Sequence, residues 1–228
     1  MCFSIEINSN FLNIKEKFNT SIYDPSYENM NKLIESSHQD AKQLKIWDEE
    51  NRIFPNSFAP VIAQNKSEKN LFFMRYRLRP HDSKKELPSK FKLYNARLES
   101  VEEKSTWSGL FMRKHGVVLA KSFFEWVKDD KGLSKLVKFS DTKNENMNLA
   151  CLFDNWISDD QQVKFSSFAV LTTEAPVEIL EKGHDRCPVN LSDSDIDSWL
   201  NPRASTKKRI HSVLNKKKDT QYKCLNIY

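Results

Sequence analysis

Cys2 holds the one position in this 228-residue chain where a side chain can draw reactivity from the terminus itself. Removal of Met1 leaves an α-amine of pKa about 8 on the same residue as a thiol of about 8.5. Such a 1,2-aminothiol condenses with an aldehyde: the amine forms an imine, and the thiolate closes onto it as a five-membered thiazolidine. The same pair suits an N-terminal nucleophile that uses its own amine as base. On Cys2 alone, a chance cysteine fraying in solvent is the better explanation.

Three further segments put polar groups where proton transfer or anion binding would need them. Glu125 lies in SFFEWV, where alternation sets Phe123 and Glu125 on one strand face and Phe124 and Trp126 on the other. A carboxyl held against aromatic surface has a raised pKa and exchanges protons near neutrality; an edge-strand glutamate facing water fits the same letters. His184 follows Gly183 in GHDRCP, with Arg186 two residues on. A histidine beside a phosphate-binding arginine suits acid–base work on a nucleic acid, although capping a helix C-terminus is the commoner use of that pattern. In YNARLE, Asn95, Arg97 and Glu99 share one strand face and Tyr94, Ala96 and Leu98 the other. Three alternating polar groups also mark a plain solvent face.

Composition removes several alternatives. There are four glycines, Gly109, Gly116, Gly132 and Gly183, well under the average of about 7%. They form no cluster, which excludes phosphate-cradling loops of the P-loop and dinucleotide types. Cys2, Cys151, Cys187 and Cys224 form no CxxC pair, so neither a zinc site, nor any other metal or cofactor, nor a disulfide framework is expected. No apolar run approaches the roughly 20 residues that span a bilayer, and MCFSIEINSN lacks the basic start and apolar stretch of a signal peptide. A cytoplasmic protein with no membrane partner is expected, nucleoid-associated if bacterial. The net charge is only +5, but residues 75–114 hold eleven Lys or Arg against five Asp or Glu, and a second basic stretch runs from Arg203 to Lys218. Basic faces attract phosphate through counterion release; the C-terminal run also reads as a solvated helix face.

The elements that must position these groups follow from periodicity. FLNIKEKF stripes Phe11, Ile14 and Phe18 on one helix face, and SYENMNKLIESS does the same with Tyr27, Met30, Leu33 and Ile34, so the first fifty residues read as helical. After Pro55 the chain reads as strands at 58–64, 71–78, 91–98, 116–127, 133–140, 149–157 and 166–173. Helices are predicted at 101–113, 176–182, 192–200, with Ser192 capping, and 205–214, and a last strand at 221–227. Strands that mostly precede the closing helices, without βαβ alternation, predict an α+β fold on an antiparallel or mixed sheet. No repeat or linker is visible, and one domain, 1–228, is expected.

The pieces also occur in a telling order: Cys2, then FAP (58–60), NARLE (95–99), FFEW (123–126), and FAVLTTEA (168–175) leading to HDRCP (184–188). This series, from residue 2 to about 200, resembles the SRAP family, the SOS response-associated peptidases. The resemblance implies a single α+β domain, barrel-like at its core, with a basic cleft for single-stranded DNA containing abasic sites. It implies that Cys2 captures the ring-opened aldehyde as a thiazolidine cross-link; a monomer is the default expectation for the chain. Asn95 would hold the Cys2 amine or the sugar oxygen, Glu125 would shuttle protons, and His184 would assist opening of the sugar. Arg97 and Arg186 would grip the flanking phosphates. A lyase side reaction through the imine could accompany capture; a Cys2-dependent thiol peptidase and a DNA-binding relative without activity are the competing functions.

Departures from the family pattern are specific. The usual Cys-Gly-Arg start is here Cys2-Phe3-Ser4, which loses one phosphate contact and makes the approach bulkier. Tyr76-Arg77 stands for Trp-Gly, and Ser57 for the Asn of Asn-x-Ala-Pro. Three glycines of relatives thus become Phe3, Arg77 and Ser122. Cys187 is expected to be a small buried replacement and not a second nucleophile. Arg75, Arg77 and Arg79 alternate along one strand and are expected to replace part of the lost basic contact with DNA.

Overall fold

The computed structural model describes residues 3–128, 131–202, 206–216 and 219–227. Thirteen strands among these residues join one continuous mixed sheet. They are β1 (Ser4–Ile7), β2 (Ser21–Ile22), β3 (Arg52–Ile53), β4 (Phe58–Asn65), β5 (Glu68–Tyr76), β6 (Asn95–Arg97), β7 (His115–Lys128), β8 (Ser134–Asp141), β9 (Met147–Ile157), β10 (Lys164–Glu174), β11 (Arg186–Pro188), β12 (Asn190–Leu191) and β13 (Tyr222–Asn226). The α-helices described are α1 (Phe11–Phe18), α2 (Asp24–Ile34), α3 (Ser105–Phe111), α4 (Val177–Leu180), α5 (Ile196–Leu200) and α6 (Lys207–Asn215).

Pairing β9–β10–β5–β4–β7, and β7 back to β9, closes a five-stranded barrel. Its β10–β5 seam is parallel and the others antiparallel. Runs such as GVVLA and LACLF are apolar at every position because these strands are buried on both faces. Val61, Val118, Leu149, Cys151 and Val170 fill the interior. Their neighbours Ile62, Val117, Ala150, Leu152 and Ala169 point outward beneath Phe18, Trp107, Phe111, Trp199 and Leu214 of the covering helices. Where β7 meets β4 and β9, a Cβ on Gly116 would lie 2.7 Å from Val61 Cγ1 and 2.9 Å from Cys151 Sγ, so only glycine lets the barrel close there. The adjoining His115 stacks on Trp199 at 3.7 Å, with ring nitrogens 2.7 and 2.5 Å from the carbonyl oxygens of Trp199 and Phe111. That ring ties the ends of α5 and α3 to the start of β7.

β7 is fourteen residues long, and its second half leaves the barrel to pair with β1 on one side and β8 on the other. β3 and β13 flank that extension. Glu125 is carried here.

The expected α+β class and barrel-like mixed sheet are observed, with local corrections. The first fifty residues are not all helical: SIEI forms β1, whose Ile5 and Ile7 are fully buried. Residues 91–98 are not one strand. Lys92 takes a left-handed φ of 48° after a 3-10 turn at Ser89–Phe91, leaving only Asn95–Arg97 extended. Ser192 stands at a helix start, but its hydroxyl bonds the Ser194 and Asp195 side chains rather than a backbone N–H.

Candidate active site

Glu125 sits between Phe123 and Val127 on the inward side of β7 and is 3% exposed, while Trp126 on the outer side is 52% exposed. The water-facing edge-strand reading is therefore set aside. His184 reaches this carboxyl from the turn after α4. Gly183 N–H donates to Leu180 O (2.9 Å) and His184 N–H to Ile179 O (3.3 Å), a Schellman-type end. Gly183 has φ +89°, a conformation that disfavours any side chain. The turn directs the imidazole inward, with Nε2 3.4 Å from Glu125 Oε2 and Nδ1 2.9 Å from Arg186 O. In the tautomer whose Nδ1–H donates to that carbonyl, the Nε2 lone pair faces the carboxyl, and one proton can pass between the two groups. Burial holds the His184 pKa below its ordinary 6.5 against the opposing hydrogen bond to Arg186 O, so the ring is neutral at pH 7.

The NARLE segment and the arginine of HDRCP meet across β10. Asn95 and Arg97 pair in parallel with Val170 and Thr172, and Arg186 pairs antiparallel with Glu174 on the opposite side. Asn95 is buried and Arg97 exposed. Arg186, only 7% exposed, is held in a fork by Glu99 (3.1 and 2.7 Å) and donates to Thr172 O (2.7 Å). Both terminal nitrogens of its guanidinium are thus already taken, unlike the open phosphate grip expected for it, while its buried Nε has no hydrogen-bond partner among the described residues. Burial would raise the Glu99 pKa, but the Arg186 hydrogen bonds and charge outweigh it and hold the carboxyl below its usual range. Glu99, anchoring Arg186, and Thr172, whose buried hydroxyl has no partner among the described residues, were not singled out as site residues from sequence. The strand stops at Arg97 and Glu99 stands in a 3-10 turn, Leu98–Ser100, so the expected shared strand face of Asn95, Arg97 and Glu99 does not extend to Glu99.

Cys2 lies outside the described residues. Its neighbour Phe3 packs edge-on against Phe54 (5.9 Å between centroids) and Tyr94 (6.3 Å), the residue before Asn95. In the antiparallel β1–β7 register Ser4 faces Phe124, so the chain before Ser4 runs toward Glu125. The segments that carry Asn95 and Glu125 therefore converge on Phe3 and Ser4.

Arg75, Arg77 and Arg79 are neither a basic surface nor alternate positions of one strand, because β5 ends at Tyr76 and Arg77 turns to a positive φ. They are 2%, 7% and 1% exposed. Glu86 takes Arg75 in two 2.7 Å bonds and lies 3.6 Å from Arg77 and 3.8 Å from Arg79. Asp40 also pairs with Arg79 (2.8 Å), whose guanidinium stacks 3.3 Å from the Trp156 ring centroid. Buried cations require such partners, and this set ties the 80–90 loop to β5. Arg77 has φ +100°, the backbone expected where relatives carry glycine, and its guanidinium is bonded to Leu87 O. Ser122, at another such position, donates to Glu6 Oε2 (2.6 Å). Cys187 is 5% exposed with its thiol directed to Glu174 O, as a buried replacement would be. Among the described residues no group of three or more His, Cys, Asp or Glu could hold a metal, and no helix is long and apolar enough to cross a membrane.

A barrel with this strand order is a known fold. A crystal structure of a protein from Bacteroides thetaiotaomicron matches it with a TM-score of 0.73 at 18% identity, covering all of this chain and 92% of that one. The chain belongs to the SRAP family: the family's model, described as SOS response associated peptidase, matches residues 1–228. It is similar to the abasic site processing protein YoqW of Bacillus subtilis (strain 168), 27% identical over 162 residues and covering 71% of each chain. The abasic site processing protein HMCES of Xenopus tropicalis is 28% identical over 193 residues, covering 71% of this chain and 57% of that one.

Proposed function

We propose that this protein captures abasic sites in single-stranded DNA covalently through Cys2. With Met1 removed, the Cys2 amine adds to the aldehyde carbon of the ring-opened sugar, and loss of one water leaves an imine. The thiolate then adds to the imine carbon while a proton passes to the nitrogen, closing the thiazolidine. One water leaves overall, and no oxidant, metal or cofactor is consumed. The imine is also the branch point for strand cleavage, which ring closure suppresses.

The observation that carries this reading is the buried Glu125 carboxyl 3.4 Å from the His184 imidazole, on the strand beside the one that starts next to Cys2. Each addition and dehydration needs a group that gives a proton and one that takes it. Glu125 fills both roles for the Cys2 nitrogen and the departing water, and neutral His184 assists opening of the sugar hydroxyl. Asn95 holds the amine or the sugar oxygen. Arg97, being exposed, takes a flanking phosphate, whereas Arg186 does so only by exchanging Glu99 for it.

Protein with an N-terminal Cys2, incubated with an abasic single-stranded oligonucleotide, is expected to run as a covalent adduct on a denaturing gel, and Cys2→Ala is expected to abolish the band. Cleavage of a peptide without any DNA adduct would instead favour the thiol peptidase. Salt-dependent binding without an adduct would favour a relative that only binds DNA.

A further inference from the structure

Phe3, just before β1, leaves 41% of its surface exposed. Its ring is nevertheless fixed on two sides by the edges of Phe54 and Tyr94. The turn that presents Phe54 is locked in turn by Ser57, whose N–H donates to Phe54 O (2.8 Å) and whose hydroxyl accepts from Phe54 N–H (3.1 Å). Cations rim the cluster. Arg52 lies 5.2 Å from the Phe54 centroid and 3.9 Å from that of Phe124, and donates to Ser4 Oγ (2.9 Å). Lys45 Nζ, on an exposed side chain, lies 5.3 Å above Phe54. Acidic groups near Arg52 include Glu50, 3.9 Å from its guanidinium and 78% exposed, and Asp48, whose carboxylate accepts from the Arg52 backbone N–H (2.7 Å).

We infer that Phe3, with Phe54 and Tyr94 behind it, is a stacking platform for the nucleobase next to the abasic position, with Lys45 and Arg52 beside that nucleotide's phosphate. The inference rests on the proposed capture of abasic single-stranded DNA. A base adjoining an abasic sugar has lost its stacking neighbour on that side. The residue covalently next to the nucleophile that bonds the sugar offers a rigid, half-exposed aromatic ring in its place. A held ring loses little entropy on stacking, and a cationic rim matches a polyanion better than an apolar peptide. The platform reads no sequence, because every base has a π-face.

The test uses single-stranded oligonucleotides with a tetrahydrofuran abasic analogue, which lacks the aldehyde, so binding is measured without cross-linking. In one the analogue is flanked by adenines; in the other the flanking positions are further tetrahydrofuran units without bases. By fluorescence anisotropy, Phe3→Ala is expected to weaken binding to the first about 5- to 100-fold and to change binding to the second less than about twofold; Phe3→Trp restores the first. Intact mass measurement verifies that Met1 is removed equally from all variants. Equal loss on both oligonucleotides, or no loss on either, overturns the platform while leaving capture intact. A parent protein that binds neither overturns the single-stranded DNA reading and the platform with it.

Discussion

Glu86→Gln tests whether Arg75, Arg77 and Arg79 are structural. The carboxylate is the partner Arg75 holds in two 2.7 Å bonds, and it lies within 4 Å of both Arg77 and Arg79. Removing one member of a buried ion pair costs about 3–5 kcal/mol, because the other charge stays buried. Glu86 keeps 31% of its side-chain surface in water, so the lower end applies, about 3 kcal/mol. For a chain of this length that is a fall in Tm of about 6–12 °C, read by circular dichroism with a matching loss in urea unfolding. Adding Arg75→Met removes the stranded charge and is expected to return about 1 kcal/mol or more. A Tm within about 2 °C of the parent, or a double variant no more stable than Glu86→Gln, refutes the reasoning. The pH dependence has a definite sign. Burial alone would raise the Glu86 pKa, but the Arg75 hydrogen bonds and the three cations outweigh it and hold the carboxyl below its ordinary 4.5. Its contribution is therefore full above pH 4.5 and is lost as the pH falls through the depressed value.

Four further outcomes are expected. Glu125→Gln slows adduct formation about 10²- to 10⁴-fold in single-turnover gels; a change under threefold, taken as about the assay's scatter, would remove the carboxyl from the proton path. Because His184 stays neutral below its ordinary 6.5, the adduct rate falls across pH 7.5 to 6.5 only as the Cys2 amine, of ordinary pKa about 8, takes its proton, and a second fall comes only as the pH drops through the depressed His184 value, where Nε2 takes a proton; a second fall centred on about 6.5, the unperturbed value, would contradict this. The unfolded chain binds that proton first, so His184 also makes stability fall as the pH drops from 6.5 toward the folded value. Gly183→Ala forces a side chain onto φ +89° with its Cβ 3.4 Å from Lys128 O, and costs about 1–2 kcal/mol together with a slower adduct rate as His184 shifts. Cys187→Ala leaves the adduct yield unchanged on the same gel, since its buried thiol faces a backbone carbonyl.

The barrel was legible because strands buried on both faces leave long apolar runs: GVVLA, LACLF and FAVL all proved to be barrel wall. Short elements were not. β1 has four residues, and β2, β3 and β12 two each, too few for periodicity to register against the helical stripes around them. The His184 turn could be read from Gly183 onward, since φ +89° is what a glycine after a helix announces, but the direction of the imidazole depends on Glu125, nearly sixty residues away. Arg75, Arg77 and Arg79 misled for a physical reason. Alternating cations on a strand look like an anion-binding face until their carboxylates are known, and Asp40 and Glu86 come from loops with no periodic signal.

The central claim is a covalent bond from Cys2 to an abasic sugar, and intact mass spectrometry of the mixture with abasic single-stranded DNA reads it directly. The predicted species has the mass of the protein without Met1 plus the oligonucleotide, less one water. It survives denaturation without borohydride and takes up no hydride when borohydride is added, as a thiazolidine does and an imine does not. Cys2→Ala gives no such stable species. An adduct of equal stability from Cys2→Ala, or none from protein whose Cys2 amine is verified to be exposed, contradicts the account.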